Sequence, residues 1–271
     1  MKIQSKLVTS AAFVTGLTWL IALPAAAQSI ELEWQQTASD SSQPISKFDH
    51  QAVLVDLQAV LLSAEQRRYQ HTQNLINDTH LNHIKVGGQY LYTVNDHIAL
   101  WPRLRILAGY QGNLKSDSIT YNPQLVGIWQ TNELYAWVLG AGVLANTADT
   151  QYYPVAGMVL HENERHNWSG QLTVPQGLIS YQLDTNWLAD IGLKWQTRYY
   201  GLDQDEAFQI MRSQDILLSF GPRYTHSSQI NLSARLTYAF EREVRFYGET
   251  GGLVTHPSSG FGFRLAMSYD F

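Results

Sequence analysis

Over residues 261–271 apolar and polar side chains alternate without a break. Phe261, Phe263, Leu265, Met267, Tyr269 and Phe271 form one file; Gly262, Arg264, Ala266, Ser268 and Asp270 form the other. A period of two held for this length fits an extended strand with one apolar and one polar face, because a helix would scatter the same residues around its axis. The pattern recurs along the chain, so the fold must be built from many amphipathic strands.

Read this way, the sequence predicts strands over about 51–62, 81–94, 97–110, 119–130, 133–144, 153–161, 167–174, 178–183, 187–200, 214–225, 229–240 and 261–271. The clearest internal one sets Trp187, Ala189, Ile191, Leu193, Trp195, Thr197 and Tyr199 against Asp190, Lys194, Gln196 and Arg198. Asn95-Asp96, Thr131-Asn132 and Asp184-Thr185-Asn186 carry tight-turn chemistry. Pro175 interrupts the pattern because proline cannot donate a ladder hydrogen bond. Residues 63–80 are polar and read as a long loop. Residues 28–50, with Ser39, Ser41, Ser42 and Pro44, show no period and read as an unstructured lead-in.

Several strands are predicted at about 11–14 residues, beyond the usual 5–6 of a sandwich, and they carry aromatic outer files. A secreted β-sandwich accounts for the alternation but not for that length. A membrane-spanning barrel accounts for both. Short connections (near 95, 131, 164, 185 and 227) alternate with longer ones (63–80, 111–118, 145–153, 201–213 and 241–259). Such barrels have an even strand number, short turns on the periplasmic side and long loops outside. Taking Pro175 as a tight external turn keeps the alternation in phase and gives about twelve strands. The fold class expected is therefore all-β: one antiparallel transmembrane β-barrel of meander topology spanning 51–271, preceded by a periplasmic extension over 28–50.

The start of the chain agrees with that address. Lys2 and Lys6 precede an apolar run over 11–23, and Ala25-Ala26-Ala27 offers a small-residue cleavage site, so 1–27 reads as a secretory signal peptide. The run is short for an uncleaved anchor. The formal net charge of −5 argues against a nucleic-acid partner. Without cysteine the chain has no disulfide framework, thiol nucleophile or thiolate metal site. Eight Trp, fifteen Tyr and nine Phe suit the aromatic girdles of a membrane barrel.

Tyr153-Pro154-Val155-Ala156-Gly157, the segment 168–175, Ser180-Tyr181 and the terminal strand together resemble an uncharacterised family of outer-membrane β-barrel proteins of Gram-negative bacteria. The resemblance implies fold and location and transfers no catalytic residue. It also implies that Phe263, Leu265, Met267, Tyr269 and Phe271 are the signal read by the barrel-assembly machinery. The partners expected are outer-membrane lipid and lipopolysaccharide, that machinery and periplasmic chaperones; the protein is expected to be a monomer without cofactor.

For chemistry, the inner files matter most. They hold Lys85, Arg103, Arg105, Lys194, Arg198, Arg223, Arg235 and Arg264, against Asp56, Asp190, Asp215 and Asp270. An excess of cations inside a chain of net negative charge is a sorted distribution. It suggests a channel whose field favours small polar or anionic solutes. The competing reading is a filled, non-conducting lumen in which these groups pair, with the external loops doing structural or adhesive work. A metal site is not expected, and an outer-membrane enzyme acting on lipid is the third and least favoured reading. His161 and His166 lack the i, i+4 helical spacing of a zinc protease, and His80 and His83 fall on opposite faces of a strand. Ser213, His226, His256 and Ser258 show no spacing that makes a lipid-hydrolase pair.

Overall fold

Amphipathic strands leave their edges unsatisfied until they pair, and here the pairing runs all the way round. The computed structural model describes residues 29–38, 45–57, 60–71, 80–132, 134–161, 167–203, 208–249 and 251–271. The leader over 1–27 and the turn at 162–166 lie outside these. The strands are β1 (Ser29–Ala38), β2 (Ile45–Leu57), β3 (Val60–His71), β4 (His80–Gln89), β5 (Tyr92–Asn95), β6 (Ile98–Tyr110), β7 (Ile119–Gln130) and β8 (Tyr135–Ala145). There follow β9 (Thr150–Leu160), β10 (Trp168–Val174), β11 (Gln176–Gln182), β12 (Trp187–Gly201), β13 (Ile210–Thr225), β14 (Ile230–Gly248), β15 (Gly251–Thr255) and β16 (Gly260–Asp270). Sequence neighbours pair antiparallel throughout, and β1 meets β16 from Ser29↔Asp270 to Thr37↔Gly262 to close the ring.

Fourteen strands form the closed barrel, not about twelve. β5 and β15 are appendages: β5 carries on from β4 past a break, and β15 folds back on β14. The β4–β5 break falls opposite Pro102, which has no N–H to offer. The two extra strands come from the start of the chain. Residues 29–38, read as lead-in, are β1, and 45–50 belong to β2. The segment 51–62 is no single strand: it crosses the connection between Leu57 and Val60, which pair with each other, and part of the supposed loop 63–80 is β3. Apolar alternation through Val53, Val55, Leu57 and Leu61 runs across that connection without any Gly, Pro or Asn to mark it. The strand at 168–182 does break at Pro175 into β10 and β11, paired antiparallel. The strand number stays even, so β1 starts and β16 ends at the same rim.

The side chains sort as the alternation requires, and against the sandwich reading, because among the described residues no second sheet covers the apolar faces. Leu104, Leu125, Leu139, Phe220 and Leu236 stand exposed on the outer wall, while Asn122, Asp190, Arg198 and Arg235 are buried inside.

One rim is roofed. The β13–β14 register slips between Gln214 and Ile216, and β14 gains a residue at a bulge where Glu241 takes φ 48°. A bulge shifts the alternation by one. Leu236 therefore faces out, whereas Val244 and Phe246, further along the same strand, are buried. Past the bulge β12 reaches across the opening to β6 on the far side, with β13 and β14 paired behind it. Gly201 pairs with Tyr110, the Gln111 N–H donates to the Gly201 carbonyl at 2.9 Å, and Lys115 Nζ donates to the Leu202 carbonyl at 2.7 Å. Gly109 permits this approach, since a Cβ there would lie 2.0 Å from the Tyr199 carbonyl oxygen. Leu81, Tyr200, Leu202, Met211, Val244 and Phe246 form the buried apolar core of the roof.

Candidate functional site

The barrel interior divides by how its charges are compensated. Beneath the roof a latch crosses the lumen. Arg198 on β12 donates to Glu65 on β3, with Nε 3.0 Å from Oε1 and Nη2 3.2 Å from Oε2. Arg67 also pairs with Glu65, at 2.5 Å, and lies 3.9 Å from Asp215, which accepts from Gln196 at 2.6 Å. All of these groups are buried or nearly so. Lower in the wall, Asp190 accepts from Arg235 at 2.6 Å, Arg223 at 3.3 Å and Ser180 at 2.7 Å. Arg264 reaches Glu33 at 2.8 Å and Glu31 at 3.2 Å. Near the closing seam Asp270 accepts from Asn231 at 3.2 Å. Asp56 stands in register with Ser29.

Four of the expected cations stand apart. Among the described residues, Lys85, Arg103, Arg105 and Lys194 have no carboxylate within ion-pair distance. Arg103 stacks over the Trp101 ring at 3.1 Å from its centroid. Lys85, Arg105 and Lys194 converge on a 220 Å³ cavity bounded also by Asn122, Gln124 and Tyr153. The Tyr153 hydroxyl accepts from Gln124 at 2.5 Å and Asn122 at 2.7 Å. Its ring occupies the space a side chain at position 142 would fill, with a Cβ there 2.4 Å from Cζ, so Gly142 lets the hydroxyl reach the cavity. A second cavity of 250 Å³ lies against the wall clusters and includes Arg223, Arg235 and Arg264. The two share Gln176, Lys194 and Gln196. Val126, Val138 and Val155 pack with Trp101 and Ile128 into an apolar inner wall over β6–β9, which polar-lumen reasoning did not anticipate.

Sequence reasoning missed Glu31, Glu33, Glu65 and Arg67. The first two were legible, since Ile30, Leu32 and Trp34 alternate with them; the last two lie in a stretch with no period. Adding these carboxylates brings the interior close to balance, so the excess of cations is confined to a few positions. His83 is buried near Glu65, and His80 falls on the other face of β4, as their spacing requires. The described residues hold no cluster suited to a metal ion. In the terminal strand Phe263, Leu265 and Met267 face outward beside Gln36, Trp34 and Leu32 of β1, and Tyr269 packs against Phe271, ring centroids 4.9 Å apart.

No family model and no curated protein matches the sequence. Among solved structures the chain is similar to the NanC porin, at 10% identity, covering 89% of this chain and 100% of that one, TM-score 0.45. It is also similar to an outer-membrane channel from Pseudomonas putida F1, at 13% identity over 92% and 97%, TM-score 0.45. The KdgM porin in complex with disordered oligogalacturonate gives 13% identity over 90% and 99%, TM-score 0.43. The strand ladder, not these likenesses, carries the barrel.

Proposed function

We propose that this chain resides in the outer membrane and takes small anionic solutes into its lumen. The membrane part of the reading is supported by the wall, apolar outside and polar inside, with Trp129, Trp137, Trp168 and Trp187 exposed on its surface. A soluble protein would expose this much apolar surface only at great cost, whereas outer-membrane lipid and lipopolysaccharide would cover it. Assembly would then depend on the barrel-assembly machinery and periplasmic chaperones, with Phe271 at the end of the signal, and the barrel would work as a monomer. The observation that carries the solute reading is the convergence of Lys85, Arg105 and Lys194 on one cavity with no carboxylate within ion-pair distance of them among the described residues; Glu65, which also lines it, is engaged by Arg67 and Arg198. Uncompensated charge in a wall of low dielectric attracts counter-charge strongly.

Conductance across planar bilayers tests it. Resolvable steps with anion preference are expected, and the preference should fall when Arg105→Gln and Lys194→Met are combined. Silent bilayers, or a preference that the double variant leaves intact, would overturn the reading. The non-conducting alternative has its own support in the Glu65–Arg198 latch and the roof above it. It predicts silence even after Glu65→Gln loosens the latch.

A further inference from the structure

The barrel wall contains a framed gap. The β10–β11 hairpin is shorter than the strands beside it: β9 pairs with β10 only over 156–160, and β12 pairs with β11 only over 188–194. Above the turn at Pro175, whose carbonyl accepts from the Trp195 N–H at 2.7 Å, residues 150–155 and 196–200 face each other with no ladder between them. Higher still the gap is bridged, because Arg212 Nη1 on β13 donates to Asp149 Oδ2 at 2.8 Å, and Arg212 is anchored in turn by Glu243. The gap is thus a window with Pro175 as its sill and an ion pair as its lintel.

Its height matters. From Trp187 to Trp195 the strand climbs roughly 20 Å along the barrel axis, at about 3.3 Å per residue and a tilt of about 40°. An apolar band about 25 Å tall would place the sill near the outer membrane surface. Unpaired strand edges survive at that depth only where they line a water-filled opening.

The cationic cavity lies behind the window and reaches through it. Its boundary includes Tyr152 and Trp195, which belong to outer files, together with Lys85, Arg105 and Lys194 from inner ones. Tyr152 is 80% exposed. Two polar atoms on the frame, Trp195 Nε1 and Gln196 Oε1, are buried without a hydrogen-bond partner among the described residues. Leu107 and Leu144 add apolar surface. Aromatic and aliphatic groups at the mouth, with amines and a guanidinium at the back beside a Glu65 carboxylate that Arg67 and Arg198 neutralise, match a ligand that is itself two-ended.

Resting on the reading of the lumen as an anion path, we propose that the window is its side entrance, and that the cavity behind it binds a small aromatic carboxylate. The carboxylate sits among Lys85, Arg105 and Lys194, and the ring lies between Tyr152, Trp195 and Leu144. Lys194, shared with the second cavity, is the point from which the ligand passes down the barrel.

Benzoate is the probe, titrated by calorimetry into the full barrel in lipid nanodiscs. Binding is expected, with inorganic phosphate at least about tenfold weaker for want of an apolar part. Lys194→Met should weaken benzoate at least about tenfold, and Lys85→Met provides the same test if that variant does not fold. For the entrance, Thr197→Cys introduces a single thiol into a cysteine-free chain. Attaching a bulky maleimide there should slow benzoate association, followed by tryptophan fluorescence, at least about tenfold relative to the unmodified variant. Equal affinity for benzoate and phosphate, or an association rate untouched by the maleimide, would overturn the proposal. Anion-selective steps without benzoate binding would sink only this proposal, whereas benzoate binding in a silent bilayer would sink only the passage.

Discussion

Asp190 is 0% exposed and is in ion-pair contact with two guanidiniums, of Arg223 and Arg235. Burying charges is costly, and a buried pair tolerates substitution of both partners far better than loss of one. Asp190→Asn keeps the shape but leaves two arginines facing each other inside the wall. A loss of about 3–5 kcal/mol in unfolding free energy is expected, measured by denaturant titration in lipid vesicles. A loss below about 1 kcal/mol would mean that water or other groups hold the arginines. Lys85 and Lys194 are the contrasting case. Removing either takes away an uncompensated charge, so these positions should affect ligands more than folding.

At the scale of the strand, the roof depends on one close approach. Gly109 on β6 meets the Tyr199 carbonyl on β12 across the opening, and the bulge at Glu241 turns the apolar file of β14 inward to fill the space beneath. Gly109→Leu places a side chain where the backbone of β12 now passes. The roof should lift, the segment between β12 and β13 should be cut faster by added protease, and conductance steps should grow. Unchanged cleavage and unchanged steps would show that the apolar core alone holds the roof down. The bulge also explains why the alternation of β14 breaks near residue 240. The strand continues to Gly248, but its alternation has changed phase.

For the whole molecule, closure is the deciding property. β1 supplies the ladder on which β16 and β2 both depend, so deleting 29–38 leaves two bare edges in the wall. Each unsatisfied backbone group costs several kcal/mol in lipid. The deletion should abolish the folded species that resists unheated SDS, whereas a dispensable lead-in would leave it intact.

How much was legible follows from what alternation can encode. It specifies which face of a strand meets lipid and which meets the lumen, so the strands between residues 98 and 240, the terminal strand, their inner cations and the break at Pro175 could be read from the residues, whereas 241–259, expected as a loop, holds the end of β14 and all of β15. It is silent where polar residues occupy both faces, as in β3, and it misleads where a hairpin preserves the apolar rhythm, as between Leu57 and Val60. It is present in Ile30, Leu32 and Trp34 of β1, a run short of the length that marks the later strands. Period and parity belong to the chain alone, so the sequence by itself determined a closed, even-stranded, inside-out barrel with both ends at one rim. Which charges meet is a property of closure. Glu65 and Arg198 lie far apart in sequence and touch only because the sheet curls round on itself. That curl alone decided that Lys85, Arg105 and Lys194 have no carboxylate within ion-pair distance among the described residues, near the short β10–β11 hairpin.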